Sequence, residues 1–133
     1  MADNRDQLID AAKRVRLKAH APYSGFYVGV ALIDETGKLH VGCNVENSSF
    51  PEGTCAEAGA IAAMVAAGGT RIAAIACVGG RDELEDCTPC GGCRQRINEF
   101  ADEHTRVILV NGDGEVYECG IGELLPSGFR LGT

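Results

Sequence analysis

The chain has 133 residues, of which 45% are hydrophobic and 23% charged, and its formal net charge is -7. This length and composition are typical of one globular domain with a core of its own, and they argue against disorder. The excess of 19 acidic over 12 basic residues, without a run of Lys or Arg, disfavours a nucleic-acid polymer as partner and favours a small molecule. The charged N-terminus does not resemble a signal peptide, and the longest apolar stretch, AIAAMVAA, is too short to span a membrane. We therefore expect one cytoplasmic domain over residues 1–133.

The first half of the chain predicts two helices that flank a β-hairpin. Apolar residues at helical spacing follow Asp3 and Asn4, either of which is a candidate N-cap. Two apolar stretches on either side of the turn DETGK predict antiparallel strands, and a Gly pair after Ala67 predicts the end of the second helix. In chain order, the predicted elements are a helix over residues 3–19, strands over 26–33 and 39–45, and a helix from about Cys55 to Ala67.

The second half of the chain continues the alternation of strands and helices. Residues 71–80, RIAAIACVGG, form a near-continuous apolar stretch, as expected for a strand that is buried on both faces. An acidic loop follows, and the turn NGDG separates two later strands. The remaining predicted elements are a helix near Gly91 to Asp102, strands over 106–110 and 115–119, and a short helix with a closing tail over 120–129. Since no linker or internal repeat interrupts these elements, we expect a single α/β domain.

The cysteines indicate a metal site. Their number, seven, is odd and excludes a complete set of internal disulfides, and clustered cysteines in a reducing compartment are more often metal ligands or catalytic groups. Cys55, Cys90 and Cys93 lie at the predicted starts of two helices, where backbone N–H groups and the helix dipole stabilise thiolates. Three thiolates suit zinc and leave its fourth position open for a reactive water, as in catalytic zinc sites. Glu57 is placed to move protons beside that water without being a ligand.

Three other interpretations of these residues remain open at this point. A structural zinc site would need Cys43 or Cys87 as a fourth ligand. A redox dithiol at Cys90 and Cys93, or a zinc-stabilised binding module without turnover, would leave Glu57 without a role. We expect the remaining cysteines to be buried or free thiols on strands and loops (Cys43, Cys77, Cys87, Cys119), and the histidines to occupy surface or loop positions (His20, His40, His104).

Four segments, in chain order, carry a resemblance to a known family: APYSGFYVG, GCNVENSSFPEGTCAE, PCGGCRQ and ELLPSGF. The sequence resembles the small, homotetrameric, zinc-dependent class of cytidine deaminases over nearly its whole length. The resemblance implies a three-layer α/β/α fold with a mixed five-stranded sheet. It also implies hydrolytic deamination of cytidine and deoxycytidine to uridine and deoxyuridine, with release of ammonia, in pyrimidine salvage.

The resemblance assigns roles to individual residues. It implies that Cys55, Cys90 and Cys93 bind one zinc ion per subunit and that Glu57 is the catalytic acid and base. The implied substrate contacts are Asn44 and Glu46 to the ribose 3′-hydroxyl, Phe26 on the pyrimidine, the backbone of Ala56 at the amide edge of the base, and Phe129 in the active site of a neighbouring subunit. The implied partner is therefore a nucleoside bound by a homotetramer with shared active sites, not a nucleic-acid polymer or a membrane.

The sequence departs from the family pattern around the pocket. Ala58 stands where the family usually has Arg after C-A-E, Tyr27 where Pro usually follows Phe26, and Phe50 where Tyr is common. Three thiolates and Zn²⁺ sum to a charge of -1, and the usual Arg donates hydrogen bonds to the thiolates. Without it, we expect the helix N-termini and Arg94 to balance the charge.

These departures affect which substrate fits the pocket more than which type of reaction is catalysed. Deaminases of the antibiotic blasticidin S also lack the Arg, so activity on blasticidin S or on modified cytidines is the alternative function. The pair Asn44 and Glu46 favours a ribose, because the antibiotic enzymes do not keep the Glu.

Overall fold

The computed structural model describes residues 4–131, which are arranged around one mixed β-sheet. Its helices are α1 (Arg5–Arg16), α2 (Ala56–Ala66), α3 (Gly91–Glu99) and α4 (Ile121–Leu124), with a 3₁₀ turn over Phe50–Glu52. Its strands are β1 (Tyr27–Asp34), β2 (Leu39–Cys43), β3 (Ile72–Gly80), β4 (Leu84–Glu85), β5 (Arg106–Val110) and β6 (Val116–Cys119). The order across the sheet is β2-β1-β3-β5-β6, with β4 pairing to the end of β3.

The predicted α/β class and the order of the elements are confirmed. β3 and β5 are parallel and the other pairs are antiparallel, so the sheet is mixed. Five strands were predicted, whereas the sheet of the described residues has six. The additional strand, β4, lies in the acidic loop, and its two residues are too few to show a periodic pattern.

Helices cover both faces of the sheet and make three layers. β3 shows the reason, since its side chains alternate between two cores: Ala76 packs with α1 residues on one face, and Ile75 packs with α2 and α3 residues on the other. A strand covered on both faces needs apolar residues at nearly every position. The continuous apolar sequence of this strand is thereby explained.

Two helix ends differ from the sequence prediction. α1 begins after Asn4, one of the two candidate caps, although the Asn4 side chain makes no capping hydrogen bond, and the other candidate, Asp3, lies outside the described residues. The helix ends at Arg16 rather than at Ala19. α3 ends at Glu99 rather than at Asp102. The Oδ1 of Asp102 accepts a hydrogen bond from the backbone N–H of His104, so this residue forms a turn instead of extending the helix.

The prediction of a surface or loop position is wrong for His40. This residue is buried in β2, and its Nε2 lies 2.8 Å from Oδ2 of Asp34 at the end of β1. Hydrogen bonds hold the pKa of Asp34 well below its usual value. The bond from the Thr36 hydroxyl has the largest effect, and the bond with His40 has the next largest. The pair therefore joins the two strands at their turn, a contact that depends on strand pairing rather than on local sequence.

Within residues 4–131, no helix combines the length and apolar character that crossing a bilayer would require.

Candidate active site

The starts of α2 and α3 meet beside one pocket. Cys55 is the N-cap residue of α2 and Cys90 is the N-cap residue of α3, and both have extended backbone conformations. Cys93 lies in the first turn of α3. The thiols are thus close to backbone N–H groups that have no partner within their helices.

The three sulfur atoms fit one zinc ion. The Sγ atoms of Cys55, Cys90 and Cys93 all lie within 4.8 Å of one another, and those of Cys55 and Cys90 are 3.9 Å apart. Thiolates around a tetrahedral zinc, with Zn–S bonds of about 2.3 Å, are separated by roughly 3.8 Å. The donor set and its spacing therefore match a zinc centre with three protein ligands.

The ionisation of the thiols differs among the three positions. Burial raises the pKa of Cys55 and of Cys93, whereas a hydrogen bond from the backbone of Cys93 lowers the pKa of Cys90. A cation between the sulfurs favours the thiolate form of all three, because it supplies a positive charge where burial has removed water.

The structure does not favour a four-cysteine structural site. Among the described residues, the group of side chains close enough to share a metal contains Cys55, Cys90 and Cys93, and neither Cys43 nor Cys87 belongs to it. All seven cysteines lie within the described residues and all are free thiols. The prediction of free thiols outside the metal motif is therefore confirmed.

Glu57 lies next to the cluster in the first turn of α2. It is only 4% exposed, and it lines the same pocket as Cys55 and Cys90. Its Oε2 accepts a hydrogen bond from the buried thiol of Cys77 on β3, at 3.7 Å. The sequence interpretation gave Cys77 no role, although its alternation with neighbouring β3 residues places it on the face that α2 covers.

The pocket has a volume of about 330 Å³, which is within the range of small-molecule sites. Most of the residues that the sequence singled out meet there, whereas Cys93 is fully buried in the first turn of α3. The predicted site residues that line it are Phe26, Asn44, Glu46, Cys55, Ala56, Glu57 and Cys90.

Asn44 holds one wall of this pocket in place. Its Nδ2 donates to the carbonyl oxygen of Phe26 at 2.9 Å, and its Oδ1 accepts from the backbone N–H of Val28 at 2.8 Å. The side chain therefore fixes the first residues of β1 against the segment that follows β2. Only one Nδ2 hydrogen remains for a ligand, since an amide group has two.

Glu46 accepts hydrogen bonds from the loop before β1. Its Oε1 accepts from the backbone N–H groups of Tyr23 at 3.0 Å and Ser24 at 3.2 Å, and its Oε2 accepts from the Ser24 hydroxyl. All three bonds lower the pKa of Glu46, and the bond from the Ser24 hydroxyl has the largest effect. Because a carboxylate has about four acceptor positions, one remains for a ligand hydroxyl.

The two predicted aromatic contacts differ in position. Phe26 lines the pocket, and the guanidinium carbon of Arg81 lies 5.4 Å from its ring centroid. Phe129 is 66% exposed, and its carbonyl oxygen accepts hydrogen bonds from Gln95 and Asn98 of α3. Within residues 4–131, it is not among the residues that line the pocket.

The arginine that contacts a cysteine sulfur is Arg96, not Arg94 as the sequence predicted. Arg94 donates to the carbonyl oxygens of Pro89 at 2.7 Å and Leu124 at 2.9 Å, so its guanidinium holds the loop before α3 and the end of α4. Arg96, in contrast, places Nη1 3.9 Å from Sγ of Cys93. The sequence interpretation missed this residue, although a spacing of three residues along a helix indicates a shared face.

A family model, related sequences and solved structures all match this chain to the same family. The model of the cytidine and deoxycytidylate deaminase zinc-binding region matches residues 2–110. A cytidine deaminase from Sporosarcina psychrophila is 40% identical over 124 residues, which are 93% of this chain and 90% of that protein. The crystal structure of a cytidine deaminase from Burkholderia pseudomallei is 44% identical, with a TM-score of 0.86 over 97% of this chain and 100% of that one. A Mycobacterium tuberculosis cytidine deaminase structure is 33% identical, with a TM-score of 0.83 over 98% and 100% of the two chains.

Proposed function

Because the chain belongs to the cytidine and deoxycytidylate deaminase family, we propose that it deaminates cytidine and deoxycytidine by hydrolysis. The products are uridine or deoxyuridine and ammonia. One observation carries the proposal: three cysteine sulfurs spaced for one zinc ion lie beside the buried carboxylate of Glu57 in a pocket of nucleoside size. A structural zinc site has no use for that carboxylate.

Glu57 performs the proton transfers of this reaction. Cys55, Cys90 and Cys93 would hold the zinc ion, which when bound would supply an activated water at neutral pH. Glu57 takes a proton from this water and delivers it to N3 of the ring, which makes C4 more electrophilic. After the attack at C4, Glu57 takes the remaining proton of the hydroxyl added at C4 and passes it to the 4-amino group, which leaves as ammonia while C4 becomes a carbonyl carbon. Its burial keeps these protons between enzyme and substrate.

The pocket walls orient the pyrimidine. Phe26 presents an aromatic ring that packs on the base. Ala56 is the first residue of α2, so its backbone N–H has no acceptor within the helix and is available to the amide edge of the base. These two contacts direct C4 toward the cysteine cluster.

The sugar is held by Asn44 and Glu46. Each keeps one position for a ligand after its bonds to the protein, an N–H of Asn44 and an acceptor position of Glu46. A ribose or deoxyribose 3′-hydroxyl donates to the carboxylate and accepts from the amide. The carboxylate of Glu46 is also the feature that favours a nucleoside over blasticidin S.

We also propose that the enzyme is a homotetramer with shared active sites and that it works in the cytoplasm. In support, Phe129 exposes 66% and Phe50 72% of their surface, more than is usual for large aromatic residues, and a neighbouring subunit would cover them. The seven free thiols suit a reducing compartment.

The test is a substrate series with the purified, zinc-loaded protein. Ammonia release and the change in ultraviolet absorbance are measured for cytidine, deoxycytidine, N4-modified cytidines, free cytosine and blasticidin S, together with zinc content. We expect about one zinc per chain and fast turnover of both nucleosides, with cytosine poor because it lacks the sugar. Equal rates on cytosine and cytidine would contradict the sugar contacts, and a preference for blasticidin S would support the alternative substrate.

A further inference from the structure

Arg96 makes a contact with the cysteine cluster that the reaction described above does not use. Its Nη1 lies 3.9 Å from Sγ of Cys93, which is a buried residue. Arg96 follows Cys93 by three residues on α3, so both lie on one face of the helix, and the long side chain extends back toward the helix N-terminus. The guanidinium is thereby directed at a proposed zinc ligand rather than at solvent alone.

Gly92 leaves the space that this conformation needs. A Cβ atom built at Gly92 would lie 3.1 Å from Nη1 of Arg96, which is tighter than ordinary van der Waals contact. The guanidinium therefore lies against the first turn of α3, directly beside the cluster. Two distances, one to the sulfur of Cys93 and one to the position that a Cβ atom on Gly92 would occupy, place it there.

The charge of the occupied site calls for such a cation. Three thiolates and one divalent ion sum to -1, and a partly buried negative charge is costly unless it is paired. Ala58 has no donor where the family usually has Arg, and the Arg94 guanidinium donates to the carbonyl oxygens of Pro89 and Leu124. Arg96, whose Nη1 lies 3.9 Å from Sγ of Cys93, supplies a charged donor to the cluster.

We propose that Arg96 is a positioning residue that donates a hydrogen bond to the Cys93 thiolate and replaces the arginine absent at position 58. The inference rests on the proposed function, since it concerns the same zinc site. It deepens that function by assigning the charge balance of this site to α3 instead of α2. The role is to stabilise the metal-bound form of the three cysteines, not to contact the nucleoside.

The experiment compares metal affinity and spectra of four proteins: wild type, Arg96→Gln, the double variant Ala58→Arg/Arg96→Gln, and Arg14→Gln. The last is a matched control, because Arg14 is exposed on α1, on the opposite face of the sheet, and its change removes the same charge. Zinc affinity is measured by competition with a chromophoric chelator. The thiolate-to-metal charge-transfer band is recorded after replacement of zinc by cobalt(II).

We expect Arg96→Gln to weaken zinc binding by about 10- to 100-fold, the range for outer hydrogen-bond partners of metal ligands. Its charge-transfer band should move to lower energy, because a thiolate without a charged donor gives up an electron more easily. Restored affinity and band position in the double variant support the replacement of one arginine by the other. Arg14→Gln should match wild type in both measurements.

Identical affinity and identical spectra in wild type and Arg96→Gln would overturn the inference and leave the proposed function standing. Equal losses in Arg96→Gln and Arg14→Gln would also overturn it, since they would show an effect of net charge alone. A wild-type protein that binds no metal would overturn the proposed function and the inference together.

Discussion

The carboxylate of Glu57 is held by a weak partner. It is 4% exposed, and the thiol of Cys77 donates to its Oε2 at 3.7 Å. A thiol is a poor hydrogen-bond donor, so this contact orients the carboxylate without competing strongly for its lone pairs. Such a partner suits the role proposed for Glu57, which is to take up and release protons within one catalytic cycle.

Glu57→Gln is expected to retain zinc and fold but to lose at least 10²- to 10⁴-fold in kcat, the contribution typical of one general acid or base. Gln has nearly the same shape, yet it cannot transfer a proton at either step. The measurement is kcat of the metal-loaded variant on cytidine. Cys77→Ala serves as the control, because it removes the weak donor and keeps the carboxylate, and it should cost less than about tenfold. Near-normal turnover in zinc-loaded Glu57→Gln would contradict the mechanism.

The two residues assigned to the sugar are expected to differ in their effect on stability. Asn44→Ala leaves the backbone groups of Phe26 and Val28 without their partner, so it should lower the free energy of unfolding by about 1–3 kcal/mol and also reduce kcat/KM. Glu46→Gln keeps an oxygen for the loop N–H groups and loses the charge, so it should mainly raise KM, by roughly tenfold or more.

Thermal or chemical unfolding, measured beside kinetics on cytidine, separates these two effects. Unchanged KM in Glu46→Gln would argue against a sugar contact. Unchanged stability in Asn44→Ala would argue against its role in holding the pocket wall.

The position of α2 depends on a close approach to β2. A Cβ atom at Gly42 would lie 2.4 Å from the backbone nitrogen of Ala60 and 2.5 Å from the carbonyl oxygen of Ala56. Only a residue without a side chain permits this spacing. Because Cys55 and Glu57 lie at the start of α2, the approach also sets their distance from the start of α3.

Gly42→Ala is therefore expected to push α2 away from the sheet. We expect a loss of about 1–3 kcal/mol in the free energy of unfolding, as for other overpacked positions, and weaker zinc binding because the Cys55 sulfur is displaced. Gly122→Ala in α4 is the matched control, since a Cβ atom at this position would meet no neighbouring element within 4 Å. Denaturant titration and zinc competition would test both variants, and equal behaviour of the two would refute this role for Gly42.

At the scale of the whole molecule, the C-terminal segment is attached through its backbone while its aromatic side chain stays exposed. The carbonyl oxygen of Phe129 accepts from Gln95 and Asn98, and Arg130 donates to the carbonyl oxygens of Asn98 and Ala101. The segment thus packs on α3 of its own chain. The ring, in contrast, is free to contact a second subunit.

Phe129→Ala should leave zinc content and unfolding of the chain nearly unchanged, because the ring is 66% exposed. If the ring completes a neighbouring active site, kcat/KM should fall roughly tenfold, the order of one lost aromatic contact. Leu131→Ala, which removes a 76% exposed side chain from the same segment, is the control. Light scattering on wild type gives the first answer, since a monomer with full activity in dilute solution would refute shared sites.

The sequence by itself determined the kinds of element, their order and the metal motif. Apolar spacing, turns and Gly pairs act over a few residues, so a single stretch contains the whole signal. The same holds for Cys55 with Glu57 and for Cys90 with Cys93, because each pair occupies one helix start. Family resemblance supplied the substrate roles of more distant residues such as Asn44 and Glu46.

Only the tertiary structure decided how these local pieces meet. The sulfurs of Cys55 and Cys90, 35 residues apart, come within 3.9 Å because α2 and α3 pack on the same face of the sheet. Strand pairing buried His40, which no local pattern marks. Arg94 and Arg96 look equivalent in sequence, but they lie about 200° apart around an α-helix of 3.6 residues per turn, so only Arg96 contacts the sulfur of Cys93. The whole fold decides which distant segments pack together and which face of a helix is turned toward the site. The charge balance proposed for the three cysteines depends on both.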